Sequence, residues 1–249
     1  MSRVRDYGEL VSRLRALPSR QWRVRRVGEV WGYPFFCVER RVSGRAPTVL
    51  LSGGMHGEEP AGVEGVLRWL VSDAWRRDRV NWFVLPCINP FGWERHRRTN
   101  AQRRDINRQF RARSDCPEAE LVKRLLGGRR FVFSMEFHED WEARGYYLYE
   151  GRPAPPYVGE KIVRAVSRLL PINRTAEVDG SRTTGHGLIR RAVDVRALNR
   201  RRRWPMAYWL LRHCTDHVLG SETPQTVPLA RRASAHTLAL ATALRGLLR

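Results

Sequence analysis

Lysine and acid are both scarce in this chain. Of its 46 lysines and arginines only Lys123 and Lys161 are lysine, and 25 acids leave a formal net charge of +21 over 249 residues. Clustered basic charge binds polyanions by releasing their counterions. Here the arginines are scattered along the whole length, and the one dense cluster is Arg196 with Arg200 to Arg203, beside Trp204 and Tyr208. Long apolar runs are missing too: no stretch of 18 apolar residues offers a membrane span. The opening MSRVRDYGELVSRLRALP is charged and helix-periodic, without the apolar segment of a secretory signal. Cysteine is sparse, and Cys37, Cys87, Cys116 and Cys214 form no Cys-x-x-Cys pair. That argues against a cysteine metal knuckle or a disulfide framework and predicts reduced, buried thiols in a cytoplasmic protein.

There is no Pro/Ser-rich linker, internal repeat or low-complexity tract, so residues 1–249 are expected to form a single catalytic domain. Strand-like runs alternate with amphipathic segments. Val49 to Leu51, Val80 to Ile88, Arg130 to Phe137 and His217 to Ser221 read as strands; Pro60 to Leu70, Cys116 to Leu126 and Ala233 to Leu248 read as helices. Alternation of this kind predicts an α/β fold, a sheet covered by helices on both faces.

Three residues stand out as metal ligands. His56 and Glu59 follow the first strand in a Gly-rich turn that leads into a helix, and His138 closes the strand-like run ending at Phe137. A strand-end imidazole, a carboxylate at a helix start and a second strand-end imidazole make a His2Glu set, which holds zinc and leaves one coordination place open. Glu222 follows the late strand, at the carboxyl end where open α/β sheets place their sites; taken alone Glu222-Thr223-Pro224 reads as a strand-end turn, and within the ordered set below Glu222 reads as the group that accepts a proton from water.

The ordered set His56-x-x-Glu59, Asn89-Pro90-x-Gly92, Arg98-x-Asn100, Asp105-x-Asn107-Arg108 with Phe110, His138 and Glu222-Thr223-Pro224 resembles the zinc carboxypeptidases of the M14 family, in particular small bacterial members such as murein peptide amidases. The resemblance spans residues 49 to 224. It implies a three-layer α/β/α fold with a mixed, mainly parallel sheet, and a zinc ion as cofactor. It also implies Asn107 and Arg108 gripping a substrate carboxylate, Arg98 facing the oxyanion, and Asp105 holding a zinc histidine, assigned to His56. Tyr208 is a candidate for the tyrosine that caps the substrate in that family, although it lies closer to Glu222 than the family pattern places it.

The expected substrate is a small peptide or N-acyl amino acid. The arginines at 196–203 fall where the family places a loop over the substrate, which predicts preference for an acidic leaving residue. Two other readings stay open: a deacylase resembling succinylglutamate desuccinylase and aspartoacylase, and a nucleic-acid-binding protein on an inactive scaffold. Among the remaining histidines, His213 and His217 read as structural, while His96, His186 and His236 show no ligand-like partner. Glu136 is expected to share the face of His138 only if the strand bulges. Tyr146, Tyr147 and Tyr149 are expected to continue as a strand that walls the cleft.

Overall fold

The computed structural model describes residues 5–77, 79–111, 113–178, 180–184, 186–192, 200 and 202–248. Ten strands are described: β1 (Arg23–Val30), β2 (Tyr33–Arg40), β3 (Thr48–Ser52), β4 (Asn81–Leu85), β5 (Phe133–Asp140), β6 (Tyr147–Arg152), β7 (Glu177–Val178), β8 (Ser181–Arg182), β9 (Leu188–Ala192) and β10 (Val218–Pro224). The helices are α1 (Tyr7–Arg15), α2 (Pro60–Val71), α3 (Pro90–Arg95), α4 (Pro117–Leu126), α5 (Gly159–Val166), α6 (Met206–His213) and α7 (Leu229–Leu247).

Eight strands form one sheet in the order β1-β2-β4-β3-β5-β10-β6-β9, and its centre, β4-β3-β5-β10, is parallel throughout. Antiparallel pairings bring in β1, β2 and β6, so the sheet is mixed and mostly parallel. Parallel strands must be covered on both faces, and their sequences show it. Alternate residues of β3 divide between two cores: Val49 and Leu51 face a layer with Val66 and Trp69 of α2 and Leu240 of α7, while Leu50 faces Val122 of α4 and Leu210 of α6. Among the described residues no helix is long and apolar enough to cross a membrane.

The strand ends differ from the sequence expectation in a consistent direction. β5 and β10 both run further than predicted, because their parallel ladder continues to the pair Pro224↔Asp140. His138 and Glu222 therefore lie inside paired strands rather than beyond them, and they are direct register partners. Helix α7 begins after Pro228, four residues earlier than predicted, and β4 is shorter than the apolar run around it.

Two tight backbone contacts seat the first ligand turn. Gly54 has φ of +63°, a left-handed conformation that costs glycine little, at the bend leaving β3. At Gly57 the chain passes so close to α3 that a Cβ would sit 1.9 Å from the Gly92 carbonyl carbon. Gly57 N–H donates to Arg97 C=O at 2.9 Å, and Asn89 caps α3 by accepting from Gly92 N–H at 2.8 Å. The Asn89-Pro90-x-Gly92 sequence is thus the clamp that holds the His56 turn. We predict that Gly57→Ala lowers unfolding free energy by about 1–3 kcal/mol, the cost of overpacking, whereas Gly220→Ala, whose Cβ would meet Tyr149 at an ordinary 3.4 Å, stays near neutral; urea denaturation of both variants decides it.

Candidate metal centre

His56, Glu59 and His138 are all buried, and one ligand atom from each lies within 4.8 Å of the others. The Glu59 carboxylate sits between the rings: Oε1 is 2.6 Å from His56 Nδ1 and Oε2 is 2.9 Å from His138 Nδ1. Both rings thus turn the same nitrogen inward. Each also turns its Nε2 to a second carboxylate, His56 to Asp105 Oδ1 at 3.2 Å and His138 to Glu136 Oε2 at 3.6 Å. Acidic partners behind two imidazoles fix their orientation and raise their basicity, the arrangement usual around metal-ligating histidines. Two inward nitrogens and a carboxylate, buried and backed in this way, fit a divalent metal.

The charges follow from this geometry. Burial opposes ionisation of Glu59, but the two imidazoles outweigh it and hold the carboxyl well below its usual range. His138 is raised well above the ordinary imidazole value, burial being overcome by Glu59 and then Glu136. Asp105 is likewise lowered against burial, through its bond to His56 and the nearby Arg98 and Arg108. Glu222 behaves oppositely. Its burial pushes the carboxyl up to about 8, with Glu59 adding to the rise and His138 opposing it.

Glu136 corrects the sequence expectation. Residues two apart on a regular strand share a face, and β5 is regular, so Glu136 reaches His138 without any bulge. The period-two rule contained this partnership already. Asp105 reaches His56, as assigned, and also accepts from Arg98 Nε at 3.2 Å. Arg98 lies 3.5 Å from both Glu58 and Glu59. Asn100 does not enter the site. Its amide donates to Glu118 at 2.9 Å and its Oδ1 accepts from the Gln102 and Arg104 amides, which ties down the loop that carries Arg98 and Asp105.

One cleft of about 590 Å³ brings together His56, Glu59, His138, Arg98, Asn107, Arg108, Tyr208 and Glu222. Asn107 Oδ1 accepts from the Met206 amide at 2.9 Å, fixing the side chain so that its other end is the NH2 donor. Tyr208 is half-buried on α6 at the cleft wall, and Tyr147 and Tyr149 of β6 line the same space, while Tyr146 is buried on the other side of the sheet. Of the arginine cluster, Arg203 reaches the cleft; Arg196 and Arg201 lie outside the described residues. Sequence reading passed over Trp141, a 70% exposed indole at the cleft rim, and the floor formed where Gly220 and Gly151 flank Tyr149. An aromatic among acids just after a ligand strand was the available signal for the first. His213 is exposed against Trp209, and His217 is buried 3.2 Å from Glu150; neither lines the cleft.

Asp105→Asn keeps the shape of the side chain but weakens its hold on His56. Affinity for added zinc, measured by chelator competition, is expected to fall by about 10- to 100-fold, and an unchanged affinity would separate Asp105 from the centre.

A family model described as the succinylglutamate desuccinylase/aspartoacylase catalytic domain matches residues 45–149. Carboxypeptidase SOL1 of Arabidopsis thaliana is 31% identical over 133 residues, 43% of this chain and 26% of that protein, so the match spans about a quarter of the relative. Among solved structures, a Shewanella amazonensis protein assigned to the metallopeptidases superposes with a TM-score of 0.82 at 25% identity, over 97% of this chain and 93% of the other. Carboxypeptidase A of Helicoverpa armigera gives 0.67 at 14% identity, over 98% and 73%, a likeness of fold alone. Residues 45–149 are thus similar to the succinylglutamate desuccinylase/aspartoacylase catalytic domain, and the whole chain is similar in fold to structures assigned to the metallopeptidases and metallo-carboxypeptidases.

Proposed function

We propose that the protein is a zinc-dependent hydrolase that cleaves a peptide or amide bond next to a free carboxylate. The observation that carries this is the single cleft in which the His56, Glu59, His138 set, the register partner Glu222 and the donors of Asn107, Arg108 and Arg98 all meet. His56, Glu59 and His138 would hold the zinc ion, which supplies a Lewis acid and lowers the pKa of a coordinated water to about 7. Asn107 and Arg108 grip the substrate carboxylate, an amide donor beside a planar guanidinium fork. Arg98 turns its guanidinium to the scissile carbonyl and stabilises the charge that grows on oxygen, a role worth a few kcal/mol of barrier per donor. Glu222 takes the proton of the attacking water and passes it to the leaving nitrogen. A buried carboxyl with a raised proton affinity suits both halves of that transfer.

The match to the desuccinylase/aspartoacylase domain favours a second reading, an N-acyl amino acid deacylase using the same residues. The whole-chain superposition on the Shewanella amazonensis protein assigned to the metallopeptidases supports the peptidase side. The two share the bond type and the carboxylate anchor, and differ in what the acyl side is. A panel of peptides with free or amidated C-termini, murein tripeptide and N-acyl amino acids separates them.

Zinc-loaded protein is expected to cleave free-carboxylate substrates and spare their amidated forms. Glu222→Gln should retain zinc while kcat falls by about 10²- to 10⁴-fold, the usual contribution of a positioned acid-base group; full turnover in that variant would refute the assigned base. Arg203 stands at the cleft, and the substrate is proposed to carry an acidic leaving residue. Arg203→Ala should therefore raise KM for C-terminal glutamate or diaminopimelate substrates more than for neutral ones, and an equal rise for both would remove arginine from specificity.

A further inference from the structure

His236 has no place in the chemistry proposed above, yet it is one of the most completely engaged side chains in the molecule. It lies on α7, fully buried, against the sheet face opposite the cleft. Its Nδ1 is 2.9 Å from Ser221 Oγ and its Nε2 is 3.3 Å from Thr223 Oγ1. These two residues flank Glu222 on β10. Because side chains alternate along a strand, Ser221 and Thr223 point back to the helix while Glu222 points into the cleft. One imidazole therefore ties down the strand on both sides of the proposed base.

The same ring reaches the neighbouring strand. It stacks on Phe137 at 4.6 Å between centroids and 17° between planes. Phe137 precedes His138 and is the register partner of Ser221, just as His138 is the partner of Glu222. Tyr146 extends the contact sideways, its hydroxyl 3.1 Å from Ser221 Oγ. Burial pushes the His236 imidazole down to about 3, so the ring is neutral at ordinary pH. A neutral ring has one donor and one acceptor nitrogen, matched here by two hydroxyls that can each rotate to suit. Space for the stack is left by Gly65 of α2, where a Cβ would come within 3.1 Å of both His236 and Phe137.

We infer that His236 is a positioning residue for hydrolysis: by bracketing Glu222 through Ser221 and Thr223 and stacking behind His138 on Phe137, it sets the base against the metal ligand from the back of the sheet. The inference rests on the hydrolase reading, because it gives His236 a role only through Glu222.

The test compares three zinc-loaded proteins: the parent, His236→Phe, and His236→Phe combined with Tyr146→Phe, Ser221→Ala and Thr223→Val. The phenylalanine at 236 keeps the stack on Phe137, leaves the Thr223 hydroxyl without its ring partner and leaves the Ser221 hydroxyl with Tyr146 alone. The combined variant removes all three hydroxyls as well, and replacing both partners of a buried hydrogen bond by apolar groups is nearly neutral for stability. Positioning predicts that kcat falls by about 10- to 100-fold in His236→Phe, with KM and zinc affinity changed by no more than about twofold. It predicts further that the combined variant regains thermal stability but not kcat. Recovery of kcat together with stability would reduce His236 to a packing role and overturn the inference, as would a single variant with parental kcat. Should His236→Phe fail to fold, the combined variant alone carries the comparison. A parent that turns over no member of the substrate panel would instead fail the hydrolase reading, and the inference with it, an outcome visible before any variant is made.

Discussion

The arrangement that the rest of the site depends on is a buried carboxylate shared by two buried imidazoles. Glu59 lies within hydrogen-bond reach of both His56 and His138, and each ring has a further acid behind it. Burying an ionised carboxylate alone costs several kcal/mol, so this cluster persists only because every charge has a partner. The partners come from three separate stretches of chain: the turn after β3, the segment around residue 105, and β5, which supplies two of them. The backbone clamp at Gly57 and Gly92, the Asn100 loop and the β5/β10 ladder each serve to bring one of those stretches to its place.

From that centre the cleft is built outward with a clear division of labour. The sheet's carboxyl ends supply the rigid groups, His138 and Glu222, held in register by backbone pairing. The segment from Arg98 to Arg108 supplies the groups that would meet substrate, Arg98, Asn107 and Arg108, each tied by a hydrogen bond, that of Asn107 reaching across to Met206. The far face of β10 is secured by α7 through His236, so the strand that carries Glu222 is fixed from both sides.

Much of this was legible in the sequence, for identifiable reasons. The ligand turn announces itself because a strand, two glycines, His-x-x-Glu and a proline-started helix must bend in one place. His138 and Glu222 were found from apolar runs that precede them, although both lie inside strands; apolar content marks the buried part of a strand, while its end is set by a pairing that sequence does not display. The orientation of Glu136 was misjudged even though the period-two rule decides it. His236 was out of reach, because its partners lie 13 to 15 residues earlier and meet it only when α7 folds back over β10. The positive charge, prominent in composition, contributes Arg98, Arg108 and Arg203 to the cleft.

The most direct test of the account is the metal content of the purified protein set beside that of His138→Ala. The account predicts about one zinc per chain in the parent and its loss in the variant, as expected for a three-ligand site deprived of one ligand. A parent that takes up no zinc, even after incubation with the ion, would contradict it.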